Sequence, residues 1–506
     1  MKTINKLNQK KVISPAITTI VALSIFSGLY YLIFLFNSDN ISDFLFYSVA
    51  VIVELYVIVT AIFTWWTIIF HDKGVEIVKE FKSSGKPFQG NVAVILAVYT
   101  EPLRIVEETL NACKNLTVPH TLYVGDDSGR YEVKALAEKY GAIYISREKN
   151  TYNKSGNINN VLSQVKEDFV VTFDIDHKPL PQFLEKTLPY FNDAEVAFVQ
   201  TPQYYTNTSS TIAKGASGAQ NIFYELIMPG KNAFNSAICV GTNVIYRKKA
   251  LDEVLNGGIY LLDHSEDIYT GLTLHAAGWK SAYVPEVLAE GLAPTEIDSY
   301  FRQQLRWARG GFSILFNFNK LFSKKLTIEQ KAQYVFSTLH YFSGFAILFY
   351  LLMPIVYLLT GIKPFAVADS TTWILHFMPF FLSKFLLILY LMEHFDPALL
   401  STSLGLFPVY IKAFFIELLG KKDYSWEVTN SEELSNNEKR SVYDYLVSHV
   451  FIILLSLVAI FTGLITLQDK VTAFMFSFWA GVNVILLIHF IYAALEKKTE
   501  VKIYDF

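Results

Sequence analysis

Phe169-Val170-Val171-Thr172-Phe173-Asp174-Ile175-Asp176 is an apolar run that ends in two carboxylates one residue apart. Its β-branched and aromatic residues read as a buried strand, and it is far shorter than the ~20 residues that cross a bilayer. Similar short runs surround it. Residues 91–98 (Asn-Val-Ala-Val-Ile-Leu-Ala-Val), 121–125, 142–145 and 196–200 read as further strands. Residues 101–111, with Pro102 in the first turn, 131–140 and 157–165 read as helices between them. This alternation at βαβ spacing predicts an open, mostly parallel α/β sheet across 90–310. Ligands of such sheets sit beyond the carboxyl ends of the strands. Two acidic motifs fall there, Asp126-Asp127 and Asp174-Ile175-Asp176.

Outside that segment the chain changes character. Of 506 residues, 52% are hydrophobic and only 18% charged, with 41 Phe and 30 Tyr; mean hydropathy is +0.31. These values predict a multi-pass α-helical membrane protein. Six runs are long enough to span: 12–36, 44–70, 334–360, 372–393, 447–467 and 471–495. Residues 311–333 and 403–419 are expected to be interfacial helices, the latter because it carries Lys412 and Glu417. The first run is too long for a signal-peptide core and no small-residue cleavage site ends it, so it reads as a retained span.

Lysines set the orientation. Lys2, Lys6, Lys10 and Lys11 precede the first run, and Lys73, Lys79, Lys82 and Lys86 follow the second. The loop between them has Asp39 and Asp43 and no base. Both termini and the α/β domain are therefore expected on the cytoplasmic side of the plasma membrane. The expected plan is two spans and a linker in 1–89, the domain in 90–310, four spans in 334–495 and a tail in 496–506 with no further soluble domain. A net charge of −3 and the absence of a basic aromatic stripe argue against nucleic acid. Cys113 and Cys239 are far apart and form no disulfide framework or paired metal-ligand spacing. Neither a Gly-x-Gly-x-x-Gly turn nor a phosphate-loop lysine motif follows the first strand, which disfavours dinucleotide and P-loop chemistry.

The polar motifs each admit two readings. Asp174 and Asp176 can hold Mg²⁺ or Mn²⁺ beside phosphates, or form a solvated acidic turn. Asp126 and Asp127 can accept hydrogen bonds from a nucleoside, or cap a turn. Lys154, ahead of a helix, suits a phosphate oxygen, or is an ordinary solvated lysine. Glu266 and Asp267 open a helix, where the dipole alone favours acids; Asp267 also suits a general base. Gln303, Arg306 and Trp307 share one helical side. Arginine can grip a diphosphate and indole can floor a sugar, although an amphipathic surface helix also fits.

Taken in order, these motifs resemble the processive family-2 glycosyltransferases, above all bacterial cellulose synthase, with hyaluronan and chitin synthases further off. The resemblance implies a cytoplasmic GT-A-type domain. It makes Asp126 and Asp127 uridine-binding, Asp174 and Asp176 cation- and diphosphate-binding, and Asp267 the catalytic base beside Glu266. Gln303, Arg306 and Trp307 match Gln-x-x-Arg-Trp, with Trp307 at the acceptor end. Lys154 and Asn157 match the diphosphate-binding segment. Tyr99-Thr100-Glu101 matches the start of the domain, with Tyr99 stacked on uracil. Gln200-Thr201-Pro202-Gln203 matches a donor-site wall, and 239–243 the small-residue segment near the polymer end. Trp426-Glu427-Val428-Thr429 resembles a gating loop, from which Asn430 departs. No match to the family's cyclic-dinucleotide-binding domain is seen.

The implied reaction joins a sugar from a UDP-α-sugar to a growing polysaccharide held in a transmembrane channel among membrane lipids, with inversion to a β linkage. Glucose is the favoured sugar and β-1,4 the favoured linkage. Other expectations stay open: β-1,3, mixed-linkage or capsule glucans, a different UDP-sugar, a non-processive lipid glycosyltransferase, and a non-enzymatic transporter or scaffold.

Overall fold

A computed structural model describes residues 14–82, 88–262, 265–316, 319–366, 370–392, 396–420 and 441–496. Trp426, Val428 and Thr429, the gating-like residues, lie outside the described residues.

The α/β domain is built on β1 (Val92–Val98), β2 (Thr121–Asp126), β3 (Ile143–Ser146), β4 (Phe169–Asp174), β5 (Lys178–Pro179), β6 (Val196–Gln200), β7 (Tyr204–Tyr205), β8 (Val244–Arg247), β9 (Lys280–Tyr283) and β10 (Ala289–Gly291). Seven strands form one sheet in the order β3-β2-β1-β4-β8-β6-β9, and β5, β10 and β7 form a small second sheet. Alternate residues of β1 enter opposite cores. Val94 and Leu96 join Val124 and Phe173 on one face, and Ala93 and Ile95 join Tyr123 and Val170 on the other. Burial on both faces explains why these strands read as unbroken apolar runs.

Register places the acids. Val98 of β1 lies opposite Asp126 of β2, and Ala97 opposite Asp174 of β4, so both carboxylates leave one edge of the sheet beside the end of β1. The sheet departs from the expected pattern at β8, which runs antiparallel to both β4 and β6. The reversal matters for the site. Because β8 starts where β4 ends, the segment 239–243 arrives at the same edge as Asp174.

Among the described residues, seven helical stretches are long and apolar enough to cross a membrane by length and composition, one more than the six runs read from the sequence. The addition is Pro397–Leu418, expected to be interfacial. Its surroundings set it apart. Leu406, Val409 and Tyr410 share an apolar core with Ile212 and Ala216 of helix Thr211–Asn221, and with Tyr300 and Phe312 of helix Ile297–Phe316. Arg309 pairs with Glu417 at 2.7 Å, and the Tyr410 hydroxyl donates to Gln304 at 3.1 Å. It thus lies along the α/β domain from end to end.

The remaining helix ends sort into two groups. Backbone of Ile41 bridges to Phe365, Ser42 Oγ donates to the Lys363 carbonyl at 2.6 Å, and Lys363 meets Asp469 at 3.1 Å. At the opposite end, His71 contacts the Glu225 carbonyl at 3.0 Å, Tyr445 donates to Asp298, and the Thr211 amide donates to Glu496 at 2.8 Å. The last helix, Lys470–Leu495, therefore ends at the α/β domain.

Candidate active site

Asp174 closes β4, and its backbone amide donates to Thr242 Oγ1 at 2.8 Å. Lys154, near the start of helix Asn153–Leu162, pairs with the Asp174 carboxylate and donates to the Gly241 carbonyl at 3.1 Å. Burial opposes the Lys154 charge, but Asp174, Glu266 and Asp267 outweigh it and hold the ammonium above its ordinary range. Burial likewise opposes ionisation of Asp174. Lys154, His177 and Arg306 more than compensate and hold that carboxyl below its usual range.

Asp176 accepts from His177 Nδ1 at 2.8 Å. Ligand atoms of Asp174, Asp176 and His177 all lie within 4.8 Å of one another. His177 Nε2 is buried without a hydrogen-bond partner among the described residues. Two carboxylate oxygens and an imidazole suit Mn²⁺, and the carboxylates alone suit Mg²⁺.

Asp267 lies in the first turn of helix Glu266–Ala276, and the Ile268 amide donates to its Oδ1 at 2.7 Å. Burial, then the neighbouring Glu266 charge, pushes its carboxyl up to about 7, against the pull of Lys154 and Arg306. That environment keeps a base poised near neutrality. The close fit has a backbone cause. Gly241 has φ +74°, and a Cβ there would stand 3.0 Å from Asp267 Cβ. Ser265, at φ +56°, sits so near the next helix that a Cβ on Gly310 would meet its Oγ at 1.7 Å. Gly310 thereby lets helix Ile297–Phe316, which carries Gln303, Arg306 and Trp307, lie against Asp267. Trp307 is half-buried, and Gln303 Oε1 is buried without a partner among the described residues.

Other expected residues are near this edge but face inward. Asp126 is buried and accepts from the Ser128 amide, the Ser128 hydroxyl and Tyr144 at 2.8, 2.5 and 2.9 Å. Asp127 is clasped by the Arg147 fork at 2.6 Å on each oxygen. Asn157 donates to the Gly125 carbonyl at 2.9 Å and braces the end of β2. Gln200 is fully buried, donates to the Thr242 carbonyl at 2.8 Å and accepts from the Val240 amide at 3.0 Å. Asn157 and Gln200 are thus positioning residues in this geometry. Glu101 is buried, accepts from the Tyr99 amide at 2.7 Å, and is pushed up to about 7 by burial. Tyr99 stays exposed at the rim.

Arg147 and Arg130 went unremarked in the sequence, and Thr242 was read only as part of the segment 239–243. Arg130 donates to the carbonyls of Glu101 and Tyr99 at 2.9 Å each and ties the ends of β1 and β2. The available signal was position, since Arg147 lies two residues past the third predicted strand, 142–145.

The match to known families decides the class. Residues 90–310 match the profile described as "Glycosyltransferase like family 2", and 256–395 the one described as "Cellulose synthase". The chain carries a family-2 glycosyltransferase domain. The UDP-forming cellulose synthase catalytic subunit of Xanthomonas axonopodis pv. citri (strain 306) is 32% identical over 264 residues, 50% of this chain and 36% of that protein. The corresponding subunit of Pseudomonas fluorescens (strain SBW25) is 30% identical over 283 residues, 54% of this chain and 38% of that protein. The matched regions are thus little more than a third of these relatives' length. Among solved structures, the mannosyltransferase PcManGT from Pyrobaculum calidifontis, in complex with GDP-Man and Mn²⁺, aligns with TM-score 0.49 at 15% identity. It covers 73% of this chain and 100% of that one, an overlap too loose to carry an argument. The cellulose synthase profile takes in Asp267, Gln303, Arg306 and Trp307 together.

Proposed function

We propose that this glycosyltransferase transfers glucose from UDP-glucose to the end of a β-glucan and passes the chain across the plasma membrane. The observation that carries the reading is the convergence of Lys154, Asp174, Asp267 and Arg306, with Trp307 on the same helix as Arg306. Asp267 takes the proton from the acceptor hydroxyl. That oxygen bonds to the anomeric carbon as the bond to UDP breaks, and UDP leaves with the electron pair. Lys154 and Arg306 hold its diphosphate. One displacement on an α-linked donor inverts the centre and makes a β linkage. Mg²⁺ or Mn²⁺ bound at Asp174 and Asp176 would offset charge on the diphosphate. The exposure of Tyr99 at the rim, with Asp127 and Arg147 at the end of β2 beside it, supports that end as the side that takes the uridine.

Packing supports six crossings and an interfacial Pro397–Leu418. The module follows helix Phe44–Ile69, and the last helix returns to it at Glu496, so an even number of crossings separates them. Pro397–Leu418 lies along the module from end to end, which leaves four. The lysine bias puts that side in the cytoplasm. A cavity of about 650 Å³ among the spans, with Tyr56, Trp65, Trp373 and Trp479 in its wall, supports a path for sugar.

Purified protein in nanodiscs, given radiolabelled UDP-glucose, UDP-N-acetylglucosamine and UDP-glucuronate separately with Mg²⁺ or Mn²⁺, tests this. High-mass product from UDP-glucose, cut by a β-1,4-glucanase, is expected. A β-1,3-specific digestion would move the linkage. Only a mono-glycosylated, organic-extractable lipid would overturn polymerisation, and no UDP release with any donor would overturn the transferase reading.

A further inference from the structure

Three charged residues that the transfer chemistry does not use line the transmembrane cavity: Lys363, which Asp469 pairs at 3.1 Å at the end away from the domain, and Glu54 and Lys384 deeper among the spans. Glu54 lies ten residues into helix Phe44–Ile69, and Lys384 fourteen residues into helix Ser370–Met392. These helices start on the same side of the membrane, where Ile41 bridges to Phe365. At 1.5 Å per residue the two groups stand roughly 15 and 21 Å deep, near the middle of a ~30 Å hydrocarbon core. Both line the cavity, together with Tyr350, Trp65, Trp373 and Trp479.

Ordinary packing does not account for them. Glu54 is 3% exposed, and its Oε2 has no hydrogen-bond partner among the described residues. The Tyr350 and Tyr31 hydroxyls both approach the carboxylate, but Tyr31 closes no hydrogen bond on that second oxygen. Lys384 is near enough for its charge to act on Glu54, yet no direct ion pair joins them among the described residues. Its ammonium stands 5.2 Å from the Phe380 ring centroid. A carboxylate and an ammonium at this depth are costly unless something polar enters between them.

We propose that Glu54 and Lys384 form a binding station for one neutral sugar unit of a glycan chain in the cavity. The inference rests on the glycan-translocation reading above. A sugar hydroxyl both donates and accepts, so vicinal hydroxyls satisfy Glu54 Oε2 and the Lys384 ammonium at once. The apolar face of the sugar ring packs on the surrounding indoles. The pair is neutral overall, so it complements an uncharged sugar. A uronate would match Lys384 but set its own carboxylate against Glu54. The station therefore selects neutral glycans over acidic ones at a point remote from the donor site.

Tryptophan fluorescence of the full chain in nanodiscs reads the station, because three of its seven tryptophans line the cavity. A neutral β-glucan oligosaccharide and a uronate-containing oligosaccharide of equal length are titrated separately. Wild-type protein should bind the neutral one more tightly, and Glu54→Leu or Lys384→Met should weaken it by about ten-fold, the loss of one charged hydrogen bond. The isosteric Glu54→Gln, checked for an unaltered elution profile, covers the case where the leucine variant fails to fold. Equal affinity for both oligosaccharides, equal affinity in wild type and E54Q, or a response to lipid composition with none to either saccharide would overturn the station. Loss of UDP release with every donor overturns the transferase reading instead, and the wild-type titration still decides the station.

Discussion

The base role proposed for Asp267 depends on surroundings that raise its carboxyl. Isolated aspartate is almost wholly ionised and a poor base at neutral pH, whereas burial and Glu266 push this one up to about 7. The base works unprotonated, so kcat/KM should fall as pH drops below about 7, by roughly ten-fold per unit. A rate that stays flat from pH 8 to pH 5 would exclude a base of that kind. Asp267→Asn should cut UDP release by about 10²–10⁴-fold while UDP still binds; near-normal polymer yield would remove the assignment. Asp174→Ala should lose the cation-dependent part of UDP binding, measured by competition with and without chelator. At this scale the sequence singled out particular acids and was silent about their partners. Asp174-Ile175-Asp176 stands out because it ends a strand. The clasp of Asp127 by Arg147 does not, because it spans twenty residues and depends on β2 pairing with β3.

Among the elements, β8 does most to build the site. Its antiparallel entry between β4 and β6 delivers 239–243 to the end of β4, and Gln200 pins that segment from below. Gln200→Leu keeps the volume but strips partners from the Val240 amide and the Thr242 carbonyl. It should cost about 2–3 kcal/mol of stability and raise the donor KM. A melting temperature and KM both equal to wild type would show that the segment holds itself. The short run Val244–Arg247 looks like any other apolar tetrapeptide, so local pattern does not reveal its direction. Strands β1, β2, β4 and β6 were legible because each is buried on both faces and bounded by turns, whereas β3, at the sheet edge and largely exposed, was legible only from its β-branched and aromatic residues. Helix Ile297–Phe316 was legible as amphipathic. That its Gly310 meets Ser265, and so brings Trp307's helix up to Asp267, is a contact between segments 45 residues apart.

For the whole molecule, topology is the property to test. Single cysteines at Tyr131, Leu419 and Gln468, in a background lacking Cys113 and Cys239, can be probed on intact cells with an impermeant maleimide. Only Gln468→Cys should label, because 468 adjoins Asp469 at the end of the bundle away from the domain. Labelling of Leu419→Cys from outside would make Pro397–Leu418 a seventh crossing and put the chain's two ends on opposite sides.

The sequence by itself determined that an α/β domain sits between two groups of apolar helices. It also singled out Asp174, Asp267 and the Gln303-Arg306-Trp307 helix, because periodicity, strand-end acids and helix spacing are local properties. Only the tertiary structure decided what those residues face. It set Asp267 and Lys154 against one loop and spent Asp126 and Gln200 on internal bonds. It laid an apolar 22-residue stretch along the domain, where composition alone would equally allow a crossing. It also brought Glu54 and Lys384 to one cavity from helices more than three hundred residues apart. Each of these depends on which surfaces meet, and burial, charge and hydrogen bonding between distant segments are settled only when the chain has closed on itself.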